Sequence, residues 1–314
     1  MGLLMQLFPV FSTEDAGLEK RSTLFGRELK RDERPEQLII NEAVQTARNA
    51  DVIVTALGES SEMTGESSSR TDVKIPETQQ KLLKALIQTG KPVVVVLFTG
   101  RPLALVWENE NVPAILNTWF GGSEAAYAIA DVLFGDVNPS GKLTTSFPQN
   151  IGQIPIFYNH KNTGRPLEEG KWFQKFRSNY LDVSNEPLYP FGYGLSYTTF
   201  NYGSIRLSSN HLNATGELTA SIEVANTGNR AGKEVVQLYI RDLVGSITRP
   251  VKELKGFEKI SLEPGESKTV TFTITPELLK FYNYELKYDY EPGDFVIMIG
   301  SNSRDVQTAQ FSLQ

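Results

Sequence analysis

In its first third the chain reads Asp51-Val-Ile-Val-Thr-Ala-Leu57 and then Gly58-Glu-Ser-Ser-Glu-Met-Thr-Gly-Glu-Ser-Ser-Ser-Arg70. The first run is apolar and typical of a buried strand, whereas the second is small, polar and carries three carboxylates. A strand that ends in such a loop brings the carboxylates to the carboxyl edge of a sheet, where open α/β sheets bind ligands. Glu59, Glu62 and Glu66 are therefore candidates for general acid/base chemistry.

The sequence on both sides of this acidic loop alternates helix and strand signals. An apolar strand, Val93 to Phe98, follows a helical stripe that ends at Gly90, and a shorter strand-like run ends at Trp119. Strands that are separated by single helices imply parallel pairing with right-handed crossovers. A further helix, which Ser123 can cap, is expected to face inward with four apolar residues: Ala126, Ile129, Ala130 and Leu133.

Residues 1–35 are interpreted as an irregular lead-in, because the sequence before Glu36 is rich in Arg, Lys and Glu and carries no strand signal. A β-α-β order normally starts with a strand. We therefore expect a partial α/β three-layer sandwich over residues 36–150 whose first strands are missing. The apolar N-terminus lacks a basic segment and is broken by Pro9, so it does not resemble a signal peptide.

The last third alternates apolar and polar residues with a period of two. Turn signals such as Asn226-Thr-Gly228, Glu263-Pro-Gly265 and Glu291-Pro-Gly293 separate the runs. Short strands at this spacing predict an immunoglobulin or fibronectin type III-like β-sandwich over residues 201–314. Residues 151–200 are rich in Gly, Pro and Asn but also in aromatic residues, which predicts an extended, packed linker.

Composition narrows the classes of function. The formal charge is -6 and no Lys/Arg block occurs, which argues against nucleic acid or an anionic membrane surface as the partner. No apolar run reaches membrane-spanning length. Cysteine is absent and only two histidines occur, so a metal site or a Ser-His-Asp triad is not expected. We predict no cofactor and no metal.

A set of short motifs, in one order, carries a family resemblance. These motifs are Gly58-Glu59, Gly65-Glu-Ser-Ser-Ser-Arg70, Ile75-Pro76, Gly90-Lys-Pro92, Gly100-Arg-Pro102, Ala130-Asp-Val-Leu-Phe-Gly-Asp136, Asn138-Pro-Ser-Gly-Lys-Leu143, Phe147-Pro148, Asn162-Thr-Gly-Arg-Pro166 and Tyr189-Pro-Phe-Gly-Tyr-Gly-Leu-Ser-Tyr-Thr-Thr-Phe200. Each motif is weak alone, but the ordered set is specific. From about residue 36 onward the chain resembles the C-terminal portion of glycoside hydrolase family 3, and within it the periplasmic bacterial β-glucosidases.

The resemblance implies a retaining β-glucosidase that acts on terminal non-reducing β-D-glucosyl residues of oligosaccharides. It also implies that the nucleophilic aspartate lies on a (β/α)8 barrel, and this sequence has neither the barrel nor its Ser-Asp-Trp type motif. The barrel, as domain or subunit, is thus an expected partner, and the location is expected to be periplasmic or secreted. The isolated chain should show little or no activity.

The same resemblance assigns Glu66 as the general acid/base and Arg70 as a substrate-binding residue. Glu59 adjoins the strand end and is interpreted as setting the loop geometry, and Glu62 falls where family members vary. For Arg70 an ion pair that orders the loop is an equally good reading. A retaining enzyme holds its two carboxyl groups about 5 to 5.5 Å apart.

Other polar and aromatic residues are given structural roles. Trp119 is expected in the core rather than stacked on a sugar. His160 is expected to make a structural hydrogen bond, and His211 to lie in a surface loop. Tyr189 to Tyr197 is expected to pack between domains rather than line a glycan groove. The alternative function is a non-catalytic carbohydrate-binding or scaffolding protein, because the chain lacks the nucleophile.

Overall fold

The computed structural model describes residues 22–24, 27–29, 34–60, 63–168 and 170–314. The chain divides into two compact units, Met1–Ile129 with Pro148–Gly152, and Ala130–Phe147 with Gln153–Gln314. Most of the predicted lead-in lies outside the described residues. Within it, strands β1 (Ser22–Leu24) and β2 (Arg27–Leu29) form an antiparallel hairpin where no regular element was expected.

The first unit is a parallel α/β structure. Its elements are α1 (Glu36–Ala47), β3 (Ile53–Gly58), α2 (Glu77–Ile87), β4 (Val93–Phe98), α3 (Val106–Asn111) and β5 (Ala114–Asn117). The sheet order is β3-β4-β5 and both pairings are parallel. The α/β class and the parallel pairing predicted from the alternation of helix and strand are therefore confirmed.

Two apolar helix faces supply much of the core of this unit. Helix α1 buries Ile39, Ile40, Ala43 and Ala47, and α2 buries Leu82, Leu83 and Leu86. The spacing of three and four residues places each set on one side of its helix. Both helices follow a proline, Pro35 or Pro76, whose fixed φ suits the start of a helix. The two helices pack against each other.

Helix α4 (Ala125–Phe134) departs from its prediction, because none of its residues is buried. Ala126 is exposed, and Ile129, Ala130 and Leu133 are half-buried. The expected inward-facing stripe is therefore wrong for Ala126 and only partly correct for the other three. The helical spacing was right, but a helix buries its apolar face only where a second layer covers it.

The second unit contains an antiparallel β-sandwich, as predicted. Its strands are β6 (Phe200–Tyr202), β7 (Arg206–Leu207), β8 (His211–Leu212), β9 (Leu218–Asn226), β10 (Gly232–Asp242), β11 (Glu253–Leu262), β12 (Ser267–Ile274), β13 (Phe281–Tyr282), β14 (Tyr288–Asp289), β15 (Gly293–Gly300) and β16 (Val306–Leu313). One sheet has the order β11-β10-β15-β16-β8 and the other β12-β9-β6, with β7 also paired to β9. The pair β8 and β16 is parallel and the other pairs are antiparallel.

The alternating apolar residues of the sequence form the core of the sandwich. In β9 the side chains of Leu218, Ala220, Ile222 and Val224 are buried, whereas Glu223 points to solvent. Successive side chains of a strand point to opposite faces, so this period of two places one set inside. The same alternation holds in β12, whereas β10 and β15 bury their apolar set and also part of the opposite face, at Tyr239 and Met298.

A buried ion pair ties the Asn138 to Leu143 motif to the sandwich. Lys142 Nζ lies 3.0 Å from Glu234 Oε1 on β10, and it donates to the Gly194 carbonyl at 3.1 Å. The Tyr202 hydroxyl donates to the same carboxylate at 2.9 Å. Burial, together with the neighbouring Glu234, raises the pKa of Tyr202, so the phenol stays protonated and keeps donating.

The segment predicted as a linker, residues 151–200, has little regular structure, and from Gln153 onward it belongs to the second unit, where its aromatic residues pack as expected. Tyr158 stacks on Phe191 with ring centroids 4.4 Å apart and meets Tyr239 edge-on at 5.7 Å. Tyr189 stacks on Tyr193 at 5.3 Å. Across the described ranges, no helix combines the length and the apolar character that crossing a membrane requires.

Candidate active-site loop

The carboxyl ends of β3 and β4 lie side by side and position the acidic loop. Gly58 is the register partner of Phe98, so Glu59 and Thr99 leave the sheet at the same edge. Gly58 has φ +132°, and a β-carbon there would overlap the Phe98 carbonyl, so only glycine fits. Gln79 on α2 fixes this strand end with two hydrogen bonds, because it accepts from the Gly58 N–H at 2.7 Å and donates to the Gly58 carbonyl at 3.0 Å.

Glu59 is fully buried and is surrounded by donors. Its Oε1 lies 2.9 Å from Arg70 Nη1 and 3.0 Å from Arg101 Nε. Its Oε2 accepts from the Thr99 hydroxyl at 2.9 Å and from the Gly100 N–H at 3.1 Å. A buried carboxylate is tolerated only when it is paired and hydrogen-bonded in this way. With both oxygens engaged, Glu59 sets the loop geometry, as its position after the strand suggested.

The two arginines that pair with Glu59 also hold the backbone of the loop. Arg101 Nη2 donates to the carbonyls of Met63 and Ser68, both at 2.8 Å. Arg70 Nη2 donates to the Lys74 carbonyl at 3.2 Å. The side chains of Arg70 and Arg101 are 20% and 21% exposed. The loop is therefore braced from its beginning to its end by one carboxylate and two guanidinium groups.

Glu66 lies at the tip of this loop and is exposed. It is flanked by Gly65 at φ +133° and Ser67 at φ +62°, and the Ser68 N–H donates to the Gly65 carbonyl at 3.2 Å to close the turn. A serine in the left-handed region is uncommon, and such backbone strain is found preferentially at functional sites. Among the described residues, Glu66 makes no hydrogen bond or ion pair, so its carboxylate is free to meet a ligand from outside.

The other predicted residues are placed as follows. Glu62 lies outside the described residues. Trp119 follows β5 with φ +51° and is half-buried rather than in the core. His160 is exposed, and its backbone carbonyl accepts from the Val251 N–H at 2.9 Å. His211 lies on strand β8 rather than in a loop, and its Nδ1 is 2.7 Å from the Ser312 hydroxyl.

Sequence reasoning missed Arg101, Thr99 and Gln79 as parts of the loop structure. A signal for the first two was present, because both follow the apolar run of β4 and the carboxyl ends of neighbouring parallel strands meet at one edge. Gln79 carried no comparable signal, since one glutamine on a helix is normally solvated. The described residues contain no group of three or more His, Cys, Asp or Glu side chains placed to hold a metal ion.

Comparison with known proteins agrees with this architecture. The model of the glycosyl hydrolase family 3 C-terminal domain matches residues 9–197, and that of the fibronectin type III-like domain matches residues 234–303. The chain is 54% identical to a periplasmic β-glucosidase of Salmonella typhimurium over 96% of its own length and 39% of that protein. It is 44% identical to a β-xylosidase of Formosa agariphila over 87% of its length and 37% of that protein.

A solved structure gives the same result. The β-glucosidase of Listeria innocua in complex with glucose superposes with a TM-score of 0.85 at 44% identity, covering 91% of this chain and 39% of that one. The chain thus spans about two-fifths of the length of these relatives and corresponds to their C-terminal portion. From the family model, the ordered motifs and the shared fold we conclude that the chain belongs to glycosyl hydrolase family 3.

Proposed function

We propose that this chain is the C-terminal part of a retaining β-glucosidase and that Glu66 is its general acid/base. One observation carries the proposal: Glu66 is exposed and makes no hydrogen bond or ion pair among the described residues, while the loop that bears it is held by the ion pairs of Glu59. Catalytic carboxyl groups must be held in place, and Glu59, Arg70 and Arg101 hold the loop without using Glu66. The substrate would be an oligosaccharide with a terminal non-reducing β-D-glucosyl residue.

The proposal also covers the nucleophile, the cellular location and the domain boundaries. A (β/α)8 barrel, in the same protein or as a partner, would supply the nucleophilic carboxylate about 5 to 5.5 Å from Glu66. The periplasmic relative supports a location in the periplasm or outside the cell. We keep residues 36–150, 151–200 and 201–314 as the proposed domain and linker boundaries.

Arg70 is kept as a substrate-binding residue in this proposal. A guanidinium group has five N–H donors, and the contacts with Glu59 and Lys74 engage two of them. The Arg70 side chain is 20% exposed, so one of its remaining N–H groups can reach a sugar hydroxyl. Structural and binding roles are compatible, because an ion pair that fixes the guanidinium also fixes the direction of its free N–H groups.

The proposal is tested by joining this chain to the N-terminal portion of the Salmonella relative and replacing Glu66 by glutamine. An acid protonates poor leaving groups but is hardly needed for activated ones. We therefore expect Glu66→Gln to reduce kcat/KM for cellobiose by about 10² to 10⁴ and that for a dinitrophenyl β-glucoside much less. Hydrolysis of the glycosyl-enzyme intermediate needs the general base, so kcat for the aryl substrate should fall in the variant. Added azide should restore this kcat, because an anion needs no general base to attack the intermediate.

Two controls make the outcome decisive. Asp72→Asn removes an exposed carboxylate close by in sequence and should leave both substrates unaffected. The isolated chain should show no turnover above its own Glu66→Gln variant, since it lacks the nucleophile. Equal losses on cellobiose and the aryl glucoside, without azide rescue, would show that Glu66 is not the acid/base. An inactive joined protein that still binds β-glucosides would favour the non-catalytic carbohydrate-binding alternative.

A further inference from the structure

The segment after β5 places an exposed aromatic ring beside the acidic loop. Phe120 is 50% exposed, and it lies between the half-buried Trp119 and the glycines Gly121 and Gly122. A β-carbon built on Gly100 would lie 3.2 Å from Phe120 Cε2 and would overlap Thr64 Oγ1. Gly100, Thr64 of the acidic loop and Phe120 are therefore close neighbours at the carboxyl edge of the sheet.

The backbone on both sides of Phe120 is constrained. Trp119 before it has φ +51°, and Gly122 after it has φ +74°. A β-carbon at Gly121 would come within 2.8 Å of the Ala125 side chain, so that position has no room for a larger residue. A bulky residue held in the left-handed region marks a constrained turn, and such turns are found preferentially at functional sites.

We propose that Phe120 forms an apolar wall of the leaving-group subsite and selects leaving groups that carry an apolar ring face. This inference rests on the proposed function, because the general acid protonates the leaving-group oxygen, and groups beside the acid's loop therefore lie on the leaving-group side of the scissile bond. The exposed ring lies next to Thr64 on that loop, and a leaving group that covers it buries its apolar surface.

The ligand chemistry follows from the ring. A second pyranose or a cycloalkyl or aryl group offers a flat C–H face that packs on phenylalanine, whereas a methyl group offers little surface. Gly100 is required for this arrangement, because any side chain there would occupy the space between Thr64 and the ring. Phe120 is thus a specificity residue that touches the substrate but takes no part in proton transfer.

The test compares two alkyl β-glucosides in the joined protein described above, methyl and cyclohexylmethyl. Their leaving alcohols have similar acidity, so the demand on the general acid is matched and only the apolar contact differs. We expect Phe120→Ala to raise KM for the cyclohexylmethyl glucoside about tenfold and to leave kcat and the methyl glucoside nearly unchanged. Phe120→Tyr, which keeps the ring, should retain the parental KM.

Controls separate this inference from the proposed function. Phe257→Ala removes an exposed phenylalanine from β11 of the other unit and should change neither substrate. Unchanged thermal unfolding of Phe120→Ala would exclude a folding defect, and the Tyr variant provides a second reading if the Ala variant is unstable. An active parent in which Phe120→Ala alters both glucosides equally, or neither, overturns the inference alone. A parent inactive on both glucosides overturns the proposed function and, with it, the inference.

Discussion

Replacing Glu59 by glutamine changes one atom of a fully buried side chain, yet we expect it to destabilise the first unit strongly. The amide nitrogen must face either the two arginines or Thr99 and Gly100. The second orientation is the better one, because the Thr99 hydroxyl can turn to donate to the Arg101 carbonyl, to which it is already 2.6 Å away. The Gly100 N–H then loses its acceptor, and both guanidinium groups lose their counter-charge.

The magnitude follows from these losses. A buried donor without a partner costs about 1 to 3 kcal/mol. The Arg70 contact falls from a charge-assisted to a neutral hydrogen bond and the Arg101 contact loses its ion pair, a loss of about 1 kcal/mol for each. The sum is about 3 to 5 kcal/mol, which is also the usual cost of breaking a buried ion pair. Because each arginine side chain is about one-fifth exposed, hydration offsets part of this loss. We therefore expect the unfolding free energy to fall by about 3 kcal/mol.

The assay is urea unfolding, with native-state hydrogen exchange of the β4 amides used to assign the effect to the first unit. The matched control is Asp72→Asn, whose side chain is 64% exposed and whose effect should stay within about 0.5 kcal/mol. A loss below about 1 kcal/mol for Glu59→Gln, with β4 exchange unchanged, would refute the view that this carboxylate holds the loop.

Three further variants test other parts of the structure. Lys142→Met leaves the buried Glu234 carboxylate without its cation and should cost the second unit about 3 to 5 kcal/mol in urea unfolding, a loss that Glu234→Met should largely reverse. Gly100→Ala places a methyl group against Thr64 and should lower the unfolding free energy by about 1 to 3 kcal/mol, with partial recovery in the double variant with Thr64→Ala. Burial raises the pKa of Glu108 above its ordinary value of 4.5, so the fold favours the protonated form. Relative to Glu108→Gln, the parent should be most stable below that value and lose stability as the pH rises through the raised pKa; a pH-independent difference would contradict this.

The elements were predictable where periodicity and burial agree. The helical stripe before Gly90, which is α2, and the alternation in β9 each placed their apolar residues correctly, because a core existed to receive them. Helix α4 shows the limit of the same reasoning. Its period of 3.6 identified a helix, but periodicity cannot show whether anything covers the apolar face. Likewise, His211 lies on a strand that pairs with β16, a partner far away in sequence.

The loop shows a second limit, which concerns the environment of charged residues. Glu59 and Glu66 lie seven residues apart in similar sequence, yet one is fully buried and the other is exposed. The difference arises from Thr99, Gly100 and Arg101, which β4 delivers from a distance in sequence. The sequence predicted that carboxylates lie at the carboxyl edge of the sheet. It could not predict which of them would bind the residues that follow β4.

This division between the two carboxylates has a consequence for catalysis. A general acid of a retaining glycosidase requires burial or a neighbouring carboxylate to stay protonated near neutral pH. Among the described residues, Glu66 stands exposed at the tip of its turn. The ion pairs of Glu59 with Arg70 and Arg101, and the hydrogen bonds from Arg101 to the loop carbonyls, hold the loop that carries it. With Glu66 as the proposed general acid, the present chain would fix the position of that acid, and the proposed barrel would supply the electrostatic environment that a general acid requires.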